Sequence, residues 1–547
     1  MRQMAMSKPG DSPYDFKYVR FLIVDESAAT RGLLESMLSE SGAERIDQAA
    51  YAAEAIRMME QSVYDVVLCD YRLGTGRDGQ QLLEEVRYKG ILKAHTLFVM
   101  VTAESTAQVV MGVLECHPDD YLSLPVTRQR LAARLARLLR RRDEIGAVEE
   151  ALEEQRYEET LALCEERMTA GCTEVLELLR LQADAFVALG RLPQAEAIYA
   201  QVFARRKAVW AGLGIGRVCY LREDYTGAAH AFKQTLKAHP RQIEAYDWLA
   251  RAQVQLGDHD TARQTLATAL ELSPRSIRRQ IVLGELALRD GEYRVAARAF
   301  GAAVALGGRS IYRTATNYTM QARALMHFDT GGALRVLRDL RRDFRTDPEA
   351  RLRAAVAEYM VHRQAGEEAG AQASYEEAMK IYRGIDQGIS AEAMVELARM
   401  LLARDEHAAA IEQMRKAIGN RHEDEALLQE VRAVFREAGR EQEGEDIIGE
   451  VRADVVRLNN DGVHLAEAGR LDEAAELFSK ALGDLPENRT INMNMAKVLL
   501  LRMKRDGNNE QNMHQARECI ERLRQQDPVS SAVQRLATMY REAAERG

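Results

Sequence analysis

FLIVDE at residues 21–26 and DVVLCD at residues 65–70 decide the fold, because each is a short unbroken apolar run that stops on a carboxylate. Such runs fit strands buried on both faces, and sheets of that kind are parallel because returning helices cover both sides. Working outward, TLFVMVTA (96–103) and DDYLSLP (119–125) repeat the pattern, and a weaker strand is expected near Arg45 to Ala49. Helical patterns fall near residues 28–41, 52–61, 79–88, 105–116 and 127–142. The alternation predicts a doubly wound, five-stranded parallel sheet.

In such sheets functional groups collect at the carboxyl ends of the strands, beside the point where the strand order reverses. Those ends carry Asp25 and Glu26, then Asp70, then Thr102. Asp25 or Asp70 alone reads as a helix N-cap. Thr102 alone reads as a cap, and Tyr121 alone as a half-buried strand residue. Taken together, three carboxylates in one crevice call for a cation, since like charges in water-poor surroundings cannot all stay ionised. Mg²⁺ suits an oxygen-rich set, accepts phosphate oxygens, and would leave Asp70 to act as a carboxylate nucleophile.

These residues resemble the receiver domain of two-component response regulators. The likeness rests on VDE at 24–26, LCD at 68–70, VTAE at 101–104, and Tyr121 before Leu122-Ser123-Leu124-Pro125. It implies a flavodoxin-like fold and Asp70 as the phosphoacceptor. It also implies Mg²⁺ held by Asp25, Glu26, Asp70 and the backbone carbonyl of Arg72, with Thr102 contacting the phosphoryl group and Tyr121 as the switch. A histidine kinase or phosphotransfer protein is the implied partner. Two features depart from the pattern: Leu124 stands where the family has lysine, and Gly74 replaces a proline in a 73–79 loop that carries an extra residue. Gly74-x-Gly76-x-x-Gly79 imitates a dinucleotide fingerprint, but it follows the third strand, with Asp70 placed to repel a pyrophosphate.

Beyond this segment a helical pair recurs. Ala195, Ala228, Ala262 and Ala296 are spaced 33, 34 and 34 residues apart. Phe232, Leu266, Phe300 and Phe478 take the large apolar position, and Pro240, Pro274 and Pro486 the terminating one. Period and pattern resemble the tetratricopeptide repeat (TPR), implying an all-α superhelix that binds protein. The pattern is regular over 176–310 and 455–488. It is looser around Ala410, Met414 and Ala417 and around Ala516 and Pro528, and degenerate over 311–390. Gly212-Leu-Gly-Ile-Gly216 inside a repeat reads as close helix packing. Trp210, Arg217, Tyr220, Arg251 and Arg289 are the candidate groove residues.

The expected organisation is a flexible tail over 1–18, a receiver-like domain over 19–142 whose last, arginine-rich helix is the connector, and a repeat array over 143–547. At 547 residues the chain exceeds the ~250–300 that one core serves. A net charge of −9 argues against nucleic acid as partner. With no apolar leader and no run long enough to span a bilayer, a cytoplasmic protein without a membrane partner is expected. Six cysteines without CxxC or zinc spacing read as free thiols. A homodimer stays open. The sequence thus predicts a non-enzymatic phosphorelay response regulator whose repeats bind a protein. The alternative is a phosphorylation-independent scaffold or kinase inhibitor, its switch impaired at Leu124. A phosphatase role is disfavoured because Arg72 stands where a second aspartate is needed.

Overall fold

The computed structural model describes residues 14–545, except 75, 94, 104–109, 113–114, 386–387 and 527–529, and gives no side-chain placement for 531 and 545. Five strands, β1 (Arg20–Val24), β2 (Arg45–Ala49), β3 (Val66–Cys69), β4 (Leu97–Thr102) and β5 (Asp120–Ser123), form one parallel sheet in the order β2-β1-β3-β4-β5. Helices α1 (Ala28–Ser39), α2 (Ala52–Gln61) and α3 (Gly79–Tyr88) connect them. Of the helix expected at 105–116, residues 110–112 and 115 are helical and most of the rest lies outside the described residues.

Alternation along the strands fills two cores. Phe21, Ile23, Leu68 and Val99 face one apolar cluster, while Leu22, Val24, Val67, Cys69, Phe98 and Met100 face the other. The pairings Val24 with Cys69 and Cys69 with Met100 bring the carboxyl ends of β1, β3 and β4 level. The order reverses between β1 and β3, so Asp25 and Asp70 emerge side by side at the switch point.

Two expected boundaries are corrected. The tail does not extend to residue 18: Phe16 is 3% exposed and packs edge-on against Phe21, and the Tyr14 hydroxyl donates to Asp143 at 2.8 Å. Burial of two aromatic rings holds this stretch on the sheet domain. The division at 142/143 falls inside one continuous helix, α4 (Arg128–Glu153). Its Leu131, Leu135 and Leu139 pack under the sheet, and its Ile145 and Val148 pack with Cys164, Leu178 and Leu181 of the next helices. The helix is therefore shared by both architectures. Among its arginines, Arg142 pairs with Asp65 at 3.0 Å and Arg141 with Glu149 at 2.6 Å.

Antiparallel helical pairs follow, beginning with Val175–Ala188 and Leu192–Arg206. Ala195, Ala228, Ala262 and Ala296 are completely buried at the crossings, and Phe232, Leu266, Phe300 and Phe478 are at most 3% exposed. Helices end immediately before His239-Pro240, Ser273-Pro274 and Leu485-Pro486, as proline requires. The degenerate stretch 311–390 forms two pairs, Ala315–Leu325 with Thr330–Asp343 and Pro348–Gln364 with Glu368–Arg383. Pro528 lies outside the described residues.

The chain forms two compact units. One runs up to Asp290 and includes Ala302–Arg313; the other comprises Gly291–Gly301 and Thr314 onward. The sheet domain and the first repeats thus belong to one unit. The second unit has its own core, running from Leu352 through Phe435 and Phe478 to Ala537. Within it a buried seam pairs Arg353 with Glu396 at 2.6 Å. All six cysteines are free. Among the described residues no helix is long and apolar enough to cross a membrane.

Candidate functional site

The carboxylates at the strand ends are not helix caps. Ser27 caps α1, its hydroxyl accepting from the Thr30 amide at 3.3 Å, and Asp78 caps α3 in a reciprocal capping box with Gln81. Asp25 and Asp70 are left to face the crevice. Asp25 is 4% exposed and accepts from the Ser27 amide at 2.7 Å. Asp70 accepts from the Tyr71 amide at 2.7 Å, and the Thr102 hydroxyl and Arg72 amide also donate to it. Thr102 is 1% exposed at the end of β4.

Crowding shows in the protonation equilibria. Burial, opposed by the Ser27 amide and assisted by the charges on Asp70 and Glu26, pushes the Asp25 carboxyl up to about 6. Burial also raises Asp70, against the donors that surround it. Both carboxylates are held in a place that disfavours their charge, which is the condition a cation relieves. Arg31 does not supply it directly: its Nη1 donates to the backbone carbonyls of Asp25 at 2.6 Å and Glu26 at 3.2 Å.

The donor set is all oxygen, which fits a hard divalent ion. Among the described residues no three His, Cys, Asp or Glu side chains are gathered into a ready-made cage. Glu26 accounts for part of this, because its carboxylate lies over Gly74. Gly74 adopts φ +73°, the left-handed region that favours glycine, whereas a Cβ there would meet only Glu26 Oε2 at 2.8 Å, the end of an exposed side chain that can move aside. The replaced proline of this loop is thereby explained. Gly79 has a different reason, since a Cβ on it would overlap the Asp70 carbonyl oxygen.

Tyr121 is half-buried on β5, and its phenol is raised by burial and then by the charge on Asp70, so it lies within electrostatic reach of the pocket. Leu124 is not in the crevice. Its side chain joins the apolar cluster under the sheet while its amide donates to the Thr102 carbonyl at 2.8 Å.

Residues 21–136 match the family model of the response regulator receiver domain, and residues 220–286 match the tetratricopeptide repeat. Residues 21–136 are a receiver domain. The receiver is 31% identical over 123 residues to the sensor protein GacS of Pseudomonas syringae pv. syringae, a match covering 22% of this chain and 13% of that protein. It is 26% identical over 125 residues to the chemotaxis protein CheY-3 of Vibrio cholerae serotype O1, covering 23% of this chain and 95% of that protein. A solved CheY-like receiver domain protein from Methanospirillum hungatei JF-1 aligns with a TM-score of 0.21 at 24% identity, over 23% of this chain and 97% of that one.

The groove candidates lie on three successive first helices of the repeats, and each has an internal partner. Trp210 packs edge-on against Tyr199, and Tyr220 against Trp248. Arg217 lies 3.9 Å from Asp184, Arg251 covers the Trp248 ring, and Arg289 lies 3.9 Å from Asp290. Residues the sequence did not single out matter more at the receiver. A cleft of about 250 Å³ beside the pocket is lined by Glu26, Tyr71, Arg72, Leu73, Gly74, Asp78 and Arg275, the last contributed by a repeat. Arg31 stood within reach of a sequence argument, six residues after Asp25. Arg275, 197 positions from Asp78, did not.

Proposed function

We propose that this chain is a response regulator of a two-component phosphorelay whose receiver accepts a phosphoryl group at Asp70 and whose repeats hold a protein partner as output. The observation that carries this reading is the convergence of Asp25 and Asp70 at the switch point, with Thr102 and two backbone amides directed at Asp70. A carboxylate oxygen of Asp70 attacks phosphorus, the bond from phosphorus to the donor breaks, and the donor leaves with its electron pair. The Thr102 hydroxyl and the Tyr71 and Arg72 amides orient the carboxylate and then the transferred group. Asp25, Glu26, Asp70 and the Arg72 carbonyl are the residues that would hold Mg²⁺, which supplies charge neutralisation when bound. Tyr121 is the residue placed to respond to the new charge.

Likeness to a chemotaxis protein and to a segment of a sensor protein supports a signalling role with a histidine kinase or phosphotransfer protein as donor. In this reading the protein is cytoplasmic and has no enzymatic output, and its Trp210–Arg289 helices present the groove. Incubation of the full chain with Mg²⁺ and acetyl phosphate, read by intact mass, tests it. One phosphoryl adduct is expected in the wild type and none in Asp70→Asn or in chelator; an equal adduct in Asp70→Asn refutes the assignment.

Leu124 favours a second reading, a scaffold or inhibitor that docks on a kinase without phosphorylation. An unmodified wild-type chain that binds a kinase as tightly as Asp70→Asn would support it.

A further inference from the structure

One face of the receiver, which includes Gly76, Asp78, Gln80, Gly112 and Glu115, is met within the same compact unit by Ser273, Arg275 and Arg279 of the repeats and by Arg309. Arg275 Nη2 lies 2.7 Å from Asp78 Oδ2, and its guanidinium carbon lies 5.5 Å from the centre of the Tyr71 ring. Arg279, with a side chain 2% exposed, divides its guanidinium between Asp247 of the array at 2.7 Å and Glu115 of the receiver at 3.1 Å. Arg309 Nη1 donates to the Gly76 carbonyl at 3.0 Å. A Cβ on Gly112 would meet Gln80 at 3.3 Å and Ser273 Oγ at 4.0 Å, so the surfaces are close-packed as well as charged. Three arginines of the array meet two carboxylates and a carbonyl of the receiver.

Arg275 differs from the other two in its position. It lines the cleft beside Asp70 and touches both ends of the loop that leaves Asp70, Tyr71 at the start and Asp78 at the end. The Tyr71 amide donates to the Asp70 carboxylate, while its buried hydroxyl has no hydrogen-bond partner among the described residues. The Asp78 carboxylate caps α3, whose first residue packs on the Asp70 carbonyl. Arg72 also lines the cleft, but it belongs to the loop itself.

We propose that Arg275 is a positioning residue of the phosphoacceptor pocket: through Tyr71 and Asp78 it couples charge at Asp70 to docking of the repeats, so that phosphorylation tightens the contact between receiver and array. The inference rests on the phosphoacceptor reading. Its sign follows from charge. A phosphoryl group adds about −1.5 to −2 charges beside Glu26 and Asp78, Mg²⁺ when bound would offset part of it, Leu124 offers no cation, and the guanidinium of the array is drawn toward the remainder. Linkage makes the effect reciprocal, so firmer docking also favours the phosphorylated state.

Hydrogen exchange on the full chain with Mg²⁺, with and without acetyl phosphate, tests this, with intact mass taken on the same samples. Peptides covering 71–79 and 273–279 are expected to exchange roughly fivefold more slowly once the adduct forms. Arg275→Gln should abolish that slowing while exchange in α1 is unchanged, and Arg275→Lys should restore part of it. Asp78→Ser, which keeps a capping oxygen for α3 but deletes the carboxylate, should behave as Arg275→Gln. An adduct without slower exchange at 273–279, or a wild-type response in Arg275→Gln, overturns the coupling alone. Absence of any adduct overturns the coupling together with the reading beneath it.

Discussion

Leu124 separates two accounts of the pocket at the scale of a single side chain. The residue belongs to the apolar cluster under the sheet, and the crevice above it holds Asp25 and Asp70 with no lysine from the last strand. A lysine at this position must turn out of that cluster toward the crevice, and once there its ammonium gains a charge-assisted hydrogen bond to the phosphoryl group, worth roughly 1.5–3 kcal/mol. Leu124→Lys is therefore expected to lengthen the half-life of the Asp70 adduct by about tenfold or more, followed by intact mass after the phosphodonor is removed. The same change removes a half-buried leucine, so the thermal midpoint should fall by an amount corresponding to roughly 1–2 kcal/mol. An unchanged half-life would mean that the pocket already has the counter-charge it needs.

Among the elements, helix Val209–Leu221 shows why small residues recur in the repeats. Cβ atoms on Gly212, Gly214 and Gly216 would run into the rings of Phe203, Tyr199 and Phe232. Phe232 is completely buried and cannot withdraw. Gly216→Ala gains about 1 kcal/mol of helix propensity but forces an overpacked crossing that costs about 1–3 kcal/mol, so a net loss of stability is expected by chemical denaturation. The second unit carries a different device at the turn before helix Arg489–Asp506. Asn488 is completely buried, and its Oδ1 accepts from the Ile491 amide at 2.9 Å. Its Nδ2 therefore donates, to the Gly419 carbonyl at 2.6 Å and to His422 Nδ1 at 3.2 Å. Such a histidine must be neutral. Burial lowers the pKa of His422, and likewise that of His327, which stacks on Tyr293. A folded value below the unfolded one means stability that is intact above about pH 6.5 and lost as the pH falls through the depressed folded value. The thermal midpoint should drop between about pH 7.5 and about pH 5, and His422→Asn, which cannot titrate, should drop less.

Over the whole molecule, what could be read from the sequence is what short-range pattern determines. Apolar runs ending on Asp25 and Asp70 mark the sheet and the strand ends at which these two carboxylates meet, and the Ala195–Ala296 period marks the repeats. Boundaries were misread where one element serves two cores, as α4 does with Leu135 on one side and Val148 on the other, and where aromatic burial anchors a segment of loop composition, as with Phe16. Contacts across long separations, Arg275 with Asp78 above all, left no local mark because neither residue departs from its own helix or turn. The groove candidates illustrate the reverse case, since Trp210 and Arg251 have the right residue types and are engaged with Tyr199 and Trp248. Everything proposed for the receiver converges on the chemistry of one carboxylate. An acyl phosphate is reduced by borohydride to an alcohol, which turns a phosphorylated aspartate into homoserine and marks its position. Treating the Mg²⁺- and acetyl phosphate-incubated full chain in this way and mapping its peptides should find homoserine at position 70 and at no other aspartate. Homoserine at position 25, or none in any peptide, would contradict the account.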